Sequence, residues 1–148
     1  MLMSDPVISR MSFVIVPSRA LEFVDVTQDS INFYIINSNA NSPKYGHWVV
    51  LYVQQGWLEW FDSLALETGK YNAHIQHFIN THKNNLHTAK RPIQHVNSDK
   101  CGYFILFYLF FKVRGIKLDT IVNMFSDNIT ENDVFLSERL RLLYKDAA

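Results

Sequence analysis

The chain has 148 residues, of which 48% are hydrophobic, and this is enough to form one hydrophobic core without a structural metal ion or disulfide bonds. Lys and Arg together number 14, as do Asp and Glu, so the balanced charge gives no reason to expect nucleic acid or an anionic membrane as the main partner. The single cysteine, Cys101, excludes an intramolecular disulfide and indicates a reducing compartment such as the cytosol or nucleus.

The beginning of the chain does not have the pattern of a secretory signal. Residues 1–12 include charged residues and a proline among the apolar ones, so we expect a protein that is not secreted. The most apolar segment, Tyr103–Phe111, has nine residues, well below the roughly 20 that cross a bilayer. We expect this segment to be a buried helix at the centre of a single domain over residues 1–148, with no membrane partner.

The first half of the chain has the pattern of β-strands. Ser12–Val16 and Ile31–Ile36 are rich in β-branched and aromatic residues, and the second is followed by a loop-like segment, Asn37–Pro43. His47–Val53 and Trp57–Asp62 are also strand-like and are separated by only three residues. This spacing predicts a β-hairpin.

The middle of the chain is predicted to contain one surface helix and one short strand. Tyr71–His82 places its apolar residues mostly on one helical face, and Asn84 and Asn85 follow as a stop. A short strand is expected to end near Gln94. The stretch from His82 to Arg91 is polar and mildly basic, and it could be either a modest basic patch or a solvated loop.

The second half of the chain is predicted to be helical. Asn97–Asp99 provide N-cap residue types directly before Cys101, and Gly115 provides a C-terminal stop, so the central helix should begin at about Cys101. Leu118–Phe125 and Thr130–Tyr144 are expected to be helices, the latter opened by a near match to a capping box. The order of strands and helices predicts an α+β domain.

Cys101 is the first candidate for chemistry. Backbone donors and the dipole at a helix N-terminus lower the pKa of a thiol, which increases the fraction of reactive thiolate. Gly102 follows it and has no side chain that would obstruct a peptide approaching the sulfur. The alternative is an inert buried cysteine, which is a frequent role for this residue.

The hairpin brings His47 and Asp62 together in either of two registers. If Gln54 and Gln55 form a two-residue loop, His47 lies directly opposite Asp62. If Gln55 and Gly56 form the loop, the two residues are diagonal neighbours on the same face. A three-residue loop would separate them unless a bulge restored the phase. A carboxylate beside an imidazole orients a catalytic base, although such pairs also occur as structural hydrogen bonds.

Gln94 is the fourth candidate. It lies seven positions before Cys101, so its side-chain amide could reach the same substrate carbonyl as the sulfur. Acyl transfer requires hydrogen-bond donors where negative charge develops on oxygen, and the Gln94 amide with the Cys101 backbone N–H would provide two. The alternative is a solvated glutamine.

These residues occur together in an order that is informative. The sequence contains three motifs with this order and spacing: Gly46-His47-Trp48-Val49-Val50, then Phe61-Asp62-Ser63, then Gln94 followed by Asn97-Ser98 and Cys101-Gly102-Tyr103-Phe104. This pattern resembles the adenovirus protease (adenain-like) family of cysteine proteases, and in particular its relatives from double-stranded DNA viruses and polinton-type virus-like transposons. The SUMO-deconjugating proteases are more distantly similar.

The resemblance implies a permuted papain-like fold, in which the helix carrying the cysteine packs on an antiparallel sheet carrying the histidine and the acid. It assigns Cys101 as nucleophile, His47 as general base and acid, Asp62 as the residue that orients His47, and Gln94 as oxyanion donor. Trp48 would narrow the substrate cleft beside the histidine, with Gly102 also contacting substrate; the alternative for Trp48 is an outward-facing or core aromatic of the hairpin. No metal ion or other cofactor is implied.

The resemblance also implies a biological role. Family members process capsid or core precursor proteins next to glycine residues, so the expected protein is a monomeric viral thiol protease of the virion or the host-cell cytoplasm or nucleus, acting in capsid maturation. The resemblance also raises the question of activation, because the adenovirus enzyme is switched on by DNA and by a disulfide-linked peptide. Because Cys101 is the only cysteine, any peptide or DNA activator of this chain would not be disulfide-linked. The stretch from Asp62 to Gln94 is short relative to that enzyme, so contacts made there in the family are not carried over.

Two other functions remain open at the level of sequence. One is an isopeptidase that removes ubiquitin-like modifiers, because relatives of the same fold cut such proteins after C-terminal glycines. The other is a non-catalytic binding module, although the presence of all four site residue types argues against it. Thiol labelling that depends on His47 would separate an enzyme from a binding module.

Overall fold

The structure of the protein is a computed structural model that describes residues 11–39 and 46–145. The last part of the predicted loop Asn37–Pro43 and nearly all of the N-terminal segment 1–12 lie outside the described residues.

The chain divides into two compact units. We call the first the sheet unit, which contains residues 12–39, 46–62 and 66–88. We call the second the helical unit, which contains Met11, Ser63–Ala65 and residues 89–145. The expectation of one domain over residues 1–148 stays a prediction.

The sheet unit is built on a five-stranded sheet. Its strands, in chain order, are β1 (Ser12–Pro17), β2 (Asn32–Asn37), β3 (Trp48–Gln54), β4 (Trp57–Phe61) and β5 (Leu86–Thr88). They are arranged in the sheet in the same order as in the chain. The β2/β3 and β3/β4 pairs are antiparallel, whereas β1/β2 and β4/β5 are parallel. The expectation of an antiparallel sheet is therefore wrong, because long crossover connections join both parallel pairs.

The hairpin between β3 and β4 has the second of the two predicted registers. Gln54 pairs with Trp57 and Val50 with Phe61, which leaves Gln55 and Gly56 as a two-residue turn. Both turn residues have positive φ, 50° and 81°, as a type I′ turn requires. This turn type matches the twist of the flanking strands. It fixes the register of β3 against β4, and the register determines which residues lie near one another at the open end of the hairpin.

One face of the sheet packs against helix α1 (Ala73–His82). The helix begins after Asn72, whose side chain accepts a hydrogen bond from the Ile75 N–H at 3.1 Å and acts as the N-cap. The buried residues of this core are Leu21, Ile36, Val49, Leu51, Val53, Leu58, Trp60, Tyr71, Ile75 and Phe78.

The helical unit contains three α-helices: α2 (Cys101–Lys112), α3 (Leu118–Val122) and α4 (Asn132–Leu143). Helix α2 begins at Cys101, as predicted, and the chain after it turns at Gly115, where φ is 84°. The aromatic rings of Phe107, Phe125 and Phe135 are in mutual contact, with centroids 4.7 to 6.2 Å apart. These contacts join α2 to the rest of the unit.

The predicted start of the last helix is wrong. A 3-10 turn, Ile129–Glu131, precedes α4, and the Thr130 hydroxyl donates to the Asn128 side chain at 2.7 Å rather than capping the helix. Asn132, the first residue of α4, is fully buried and hydrogen-bonds to Ile93 and Ser126.

The predicted strand ending near Gln94 is also misplaced. The strand is β5, which lies within the polar stretch from His82 to Arg91, and residues 89–100 have no regular secondary structure. In this segment the Arg91 guanidinium donates to the backbone carbonyls of Val122 and Phe125, at 2.5 and 3.1 Å. These side-chain hydrogen bonds hold the segment in place without the backbone pairing of a β-strand.

Among the described residues, no helix combines the length and the hydrophobicity needed to span a bilayer. The overall architecture is α+β, with a mixed sheet.

Candidate active site

His47 lies directly before β3, and its backbone is fixed by Ser38. The His47 N–H donates to the Ser38 hydroxyl at 2.8 Å, and the Ser38 N–H donates to the His47 carbonyl at 2.7 Å. The preceding residue, Gly46, contacts the Asn37 side chain so closely that an added Cβ would lie 1.6 Å from its Oδ1. Only glycine can lie this close to the Asn37 side chain, so Gly46 allows the backbone to follow the path that leads to His47.

His47 and Asp62 are in direct contact at the open end of the hairpin. The distance between His47 Nε2 and Asp62 Oδ1 is 2.5 Å, and the two side chains are 13% and 3% exposed. The prediction that the hairpin keeps these residues together is confirmed. They are diagonal neighbours, as expected for the register in which Val50 pairs with Phe61.

The second oxygen of Asp62 is also occupied by donors. Asp62 Oδ2 accepts a hydrogen bond from the Tyr71 hydroxyl and another from the Leu66 N–H, the latter at 3.2 Å. A group that receives donors on both oxygens is stabilised as a carboxylate. Because a carboxylate only accepts, His47 Nε2 carries a proton, and Nδ1 is the nitrogen that can gain or lose one.

Tyr71 is itself held in place. The Trp60 indole N–H donates to the Tyr71 hydroxyl at 3.2 Å, and the two rings meet edge to face with centroids 5.8 Å apart. Burial raises the pKa of Tyr71 well above its usual range, and the negative charge of Asp62 adds to this increase. Tyr71 therefore stays protonated and remains a donor to Asp62.

Cys101 is the first residue of α2 and is partly exposed. The predicted capping by Asn97–Asp99 is corrected, because the N-cap is Lys100, which makes no side-chain capping bond. The Ser98 hydroxyl instead accepts from the Lys100 N–H at 3.2 Å. The position of Cys101 in the first turn places its sulfur at the helix end where backbone N–H groups and the helix dipole favour a negative charge.

Gln94 is not a solvated glutamine. Gln94 is 3% exposed, and both the oxygen and the nitrogen of its side-chain amide are hydrogen-bonded. The Ser63 hydroxyl donates to Gln94 Oε1 at 2.5 Å, and Gln94 Nε2 donates to the Ser98 carbonyl at 2.9 Å. An amide nitrogen has two hydrogens, so one remains for another acceptor.

The two predicted substrate-contacting residues lie in different units. Trp48 is the first residue of β3, next to His47, and is partly buried. Gly102 is exposed in the first turn of α2, and a Cβ built on it would have no atom of the described residues within 4 Å. Packing among these residues therefore does not explain the glycine at this position.

The site residues are thus brought together in two groups. His47, Asp62 and Trp48 belong to the sheet unit, whereas Gln94, Cys101 and Gly102 belong to the helical unit. Within the described residues, no three His, Cys, Asp or Glu side chains are grouped as a metal site.

Two residues with a place in these networks were missed in the sequence. Tyr71 was interpreted only as the start of a helix, and its partner Asp62 is nine residues away across an irregular loop, so no local pattern indicates the contact. Ser63 stands in the Phe61-Asp62-Ser63 motif, and that position was the available signal, but no role was assigned to it.

A comparison of the sequence with protein-family models and with curated proteins finds no match. The resemblance to adenovirus-type proteases stays a prediction from the order, spacing and chemistry of the site residues.

Proposed function

We propose that this protein is a cysteine endopeptidase in which Cys101 is the nucleophile and His47 is the general base. The observation that carries the proposal is the hydrogen bond between His47 Nε2 and Asp62 Oδ1, because it keeps a proton on Nε2 and leaves Nδ1 as the nitrogen that would accept the thiol proton. A histidine held in this way by a carboxylate is suited to accept and return a proton.

The proposed reaction begins with transfer of the thiol proton from Cys101 to His47 Nδ1. The thiolate attacks the carbonyl carbon of the peptide, a sulfur–carbon bond forms, and the carbonyl electron pair moves onto oxygen. When this intermediate collapses, the carbon–nitrogen bond breaks and the imidazolium gives its proton to the leaving amine. Water then attacks the thioester with His47 as base, which releases the acid and regenerates Cys101.

Gln94 would act where the negative oxygen develops. One of its amide hydrogens is bound to the Ser98 carbonyl, and the second is the proposed donor to the oxyanion, together with the Cys101 backbone N–H. Replacing Gln94 by Ala should lower kcat about 10²-fold with a small change in KM, because this donor acts mainly in the transition state.

The substrate class follows from the family resemblance. We propose a permuted papain-like enzyme, with the helix of Cys101 packed on the sheet, that cuts capsid or core precursors of a virus or virus-like element next to glycines. A cleft narrowed by Trp48 would admit a backbone without side chains more readily than a bulky residue. The proposed place of action is the virion or the host-cell cytoplasm or nucleus.

The test is a parallel assay of two substrate classes. The protein is incubated with a library of glycine-containing peptides and with a panel of ubiquitin-like modifiers that carry a fluorogenic C-terminal group, and the Cys101→Ala variant is the control. Turnover of library peptides that is lost in the control supports the endopeptidase. Turnover of a modifier without turnover of the library would favour an isopeptidase, and no turnover of either would favour a binding module.

A further inference from the structure

Gln94 is held from two sides by Ser63, the residue that directly follows the proposed orienting acid. Besides the hydroxyl that donates to Gln94 Oε1, the Ser63 backbone carbonyl accepts from both the Ile93 N–H, at 2.9 Å, and the Gln94 N–H, at 3.0 Å. Ser63 is 1% exposed, so these bonds are not in competition with water. Both the backbone and the side chain of Gln94 therefore depend on one residue.

These bonds determine which way the Gln94 amide faces. The Ser98 carbonyl can only accept, so it selects the nitrogen of the amide, and the Ser63 hydroxyl is then placed to donate to the oxygen. The opposite orientation would set two oxygens against each other at Ser98. An oxyanion donor must present its nitrogen, because an amide oxygen would repel the developing charge.

The segment that holds this network is anchored in turn. The Ser98 hydroxyl donates to the carboxylate of Asp133, at 2.8 and 3.0 Å from its two oxygens. Gln94 is consequently fixed between Ser63 and a loop that is tied to helix α4. A preorganised donor needs no reorientation when the transition state forms, whereas a free glutamine would have three torsions to restrict.

We infer that Ser63 is a positioning residue that orients the Gln94 amide as the oxyanion donor, an inference that rests on the proposed function. The consecutive residues Asp62 and Ser63 then have parallel tasks. The first orients the base through its carboxylate, and the second orients the oxyanion donor through its hydroxyl and its carbonyl.

The experiment compares Ser63→Ala and Gln94→Ala in reactions that do and do not form an oxyanion. Addition of the Cys101 sulfur to a peptidyl glycinal moves the carbonyl electron pair onto oxygen, whereas alkylation by iodoacetamide creates no oxyanion. For Ser63→Ala we expect kcat to fall on the order of 10-fold with KM changed less than about 2-fold, and the aldehyde to bind more weakly by a similar factor. The iodoacetamide rate should be unchanged.

Two further variants make the result specific. In the Gln94→Ala background, Ser63→Ala should have little additional effect on kcat, because the two residues act as one unit. Ser18→Ala is the matched control, since Ser18 is also 1% exposed and hydrogen-bonded, to Asn72, but lies in the sheet unit. We expect this control to keep wild-type values throughout.

The inference is overturned if Ser63→Ala keeps wild-type kcat, if its effect adds fully to that of Gln94→Ala, or if iodoacetamide alkylation slows in parallel with turnover. The last result would indicate a general structural defect. If the wild-type protein neither hydrolyses a peptide nor binds the aldehyde, the proposed function fails and the inference with it. An active wild type with an unaffected Ser63→Ala variant rejects the inference alone.

Discussion

Asp62 has donors on both carboxylate oxygens, and these donors determine how it can orient His47. Oδ1 faces His47 Nε2, while Oδ2 is held by the Tyr71 hydroxyl and the Leu66 N–H. The carboxylate cannot rotate without breaking bonds on both sides. The histidine tautomer is therefore set by a group whose own orientation is fixed by its surroundings.

This geometry predicts a large effect of Asp62→Asn. The Leu66 N–H requires an acceptor, so the amide oxygen of the asparagine would take the position of Oδ2. The amide nitrogen would then face His47 Nε2 and favour the tautomer in which Nε2 is unprotonated. We expect kcat to fall about 10²-fold to 10⁴-fold, while Cys101→Ala abolishes turnover. The matched control is Asp25→Asn, an exposed acid bonded only locally to Thr27. Activity of Asp62→Asn near the wild-type value would contradict the role assigned to Asp62.

Tyr71→Phe should change the dependence of stability on pH. Burial and the charge of Asp62 raise the pKa of Tyr71, so its stabilising effect is fully present below the unfolded value of about 10 and is lost as the pH rises above it. At pH 7 the variant should lose roughly 1.5–3 kcal/mol of unfolding free energy, the range for a hydrogen bond to a charged group. At pH 11 the Tyr71 phenol ionises in the unfolded wild type, which lowers the wild-type free energy of unfolding by about 1.4 kcal/mol. The variant has no phenol at this position, so its deficit relative to the wild type should shrink by the same amount.

Urea unfolding at the two pH values measures this difference. Tyr34→Phe is the control, because the Tyr34 hydroxyl is hydrogen-bonded to a neutral partner, the Gln28 amide. A deficit for Tyr71→Phe that is the same at both pH values would show that the Tyr71 phenol does not have the raised pKa.

Gly102→Ala separates access to the sulfur from packing. Because an added Cβ would meet no atom within 4 Å in the part of the chain that the structure describes, and because alanine favours helix formation, we expect no loss of thermal stability. If Gly102 lies against the substrate, kcat/KM for peptides should fall, while the iodoacetamide rate stays the same. A variant with unchanged kcat/KM would remove Gly102 from the substrate contacts.

At the scale of secondary structure, the hairpin was predictable and the segment before α2 was not. Alternating strand residues around Gln55 and Gly56 allow only a few registers, and two of them keep His47 beside Asp62. Residues 89–100 have no such periodicity, and their order comes from the distant hydrogen bonds of Arg91, Gln94 and Asn132. Partners 30 or more residues away leave no local pattern in the sequence.

The same reason explains the other differences from the sequence analysis. Thr130 and Asp133 form a near capping box by spacing, but Asp133 accepts from Ser98 and α4 begins at the buried Asn132. The parallel pairing of β5 with β4 is also a tertiary contact, because helix α1 separates the two strands in the sequence. Local propensity identified the kinds of element present, whereas tertiary contacts determined where some of them begin.

The hairpin turn gives a prediction for stability. Gln55 has φ of 50°, in the left-handed region that costs roughly 1–2 kcal/mol for most L-residues and less for asparagine. Gln55→Asn should therefore raise Tm by about 2 °C, a gain of roughly 0.5–1 kcal/mol in a chain of this size. Gln54→Asn, a change of the same kind in the adjacent strand residue, should give no gain. Calorimetry that finds a lower Tm for Gln55→Asn would contradict this interpretation of the turn.

At the scale of the whole molecule, the proposed roles are divided between two compact units. The sheet unit contains the proposed base and the acid proposed to orient it, and the helical unit contains the proposed nucleophile and oxyanion donor. The chain leaves the sheet unit after Asp62, returns to it at Leu66 and leaves it again at Ala89. The proposed catalysis requires that the Cys101 thiol transfer its proton to His47, so the reactivity of Cys101 should depend on that histidine.

The most direct measurement is therefore the rate at which a peptidyl glycine vinyl sulfone labels the protein, followed by intact mass. Because Cys101 is the only cysteine, one added mass identifies the labelled residue. We predict labelling of the wild type at pH 7 and a rate at least about 10²-fold lower in His47→Ala, the size of effect expected for a positioned base. His74→Ala, which changes an exposed histidine on α1, should label at the wild-type rate. Equal rates for folded wild type and His47→Ala, or no labelling of either, would contradict the assignment of a cysteine peptidase.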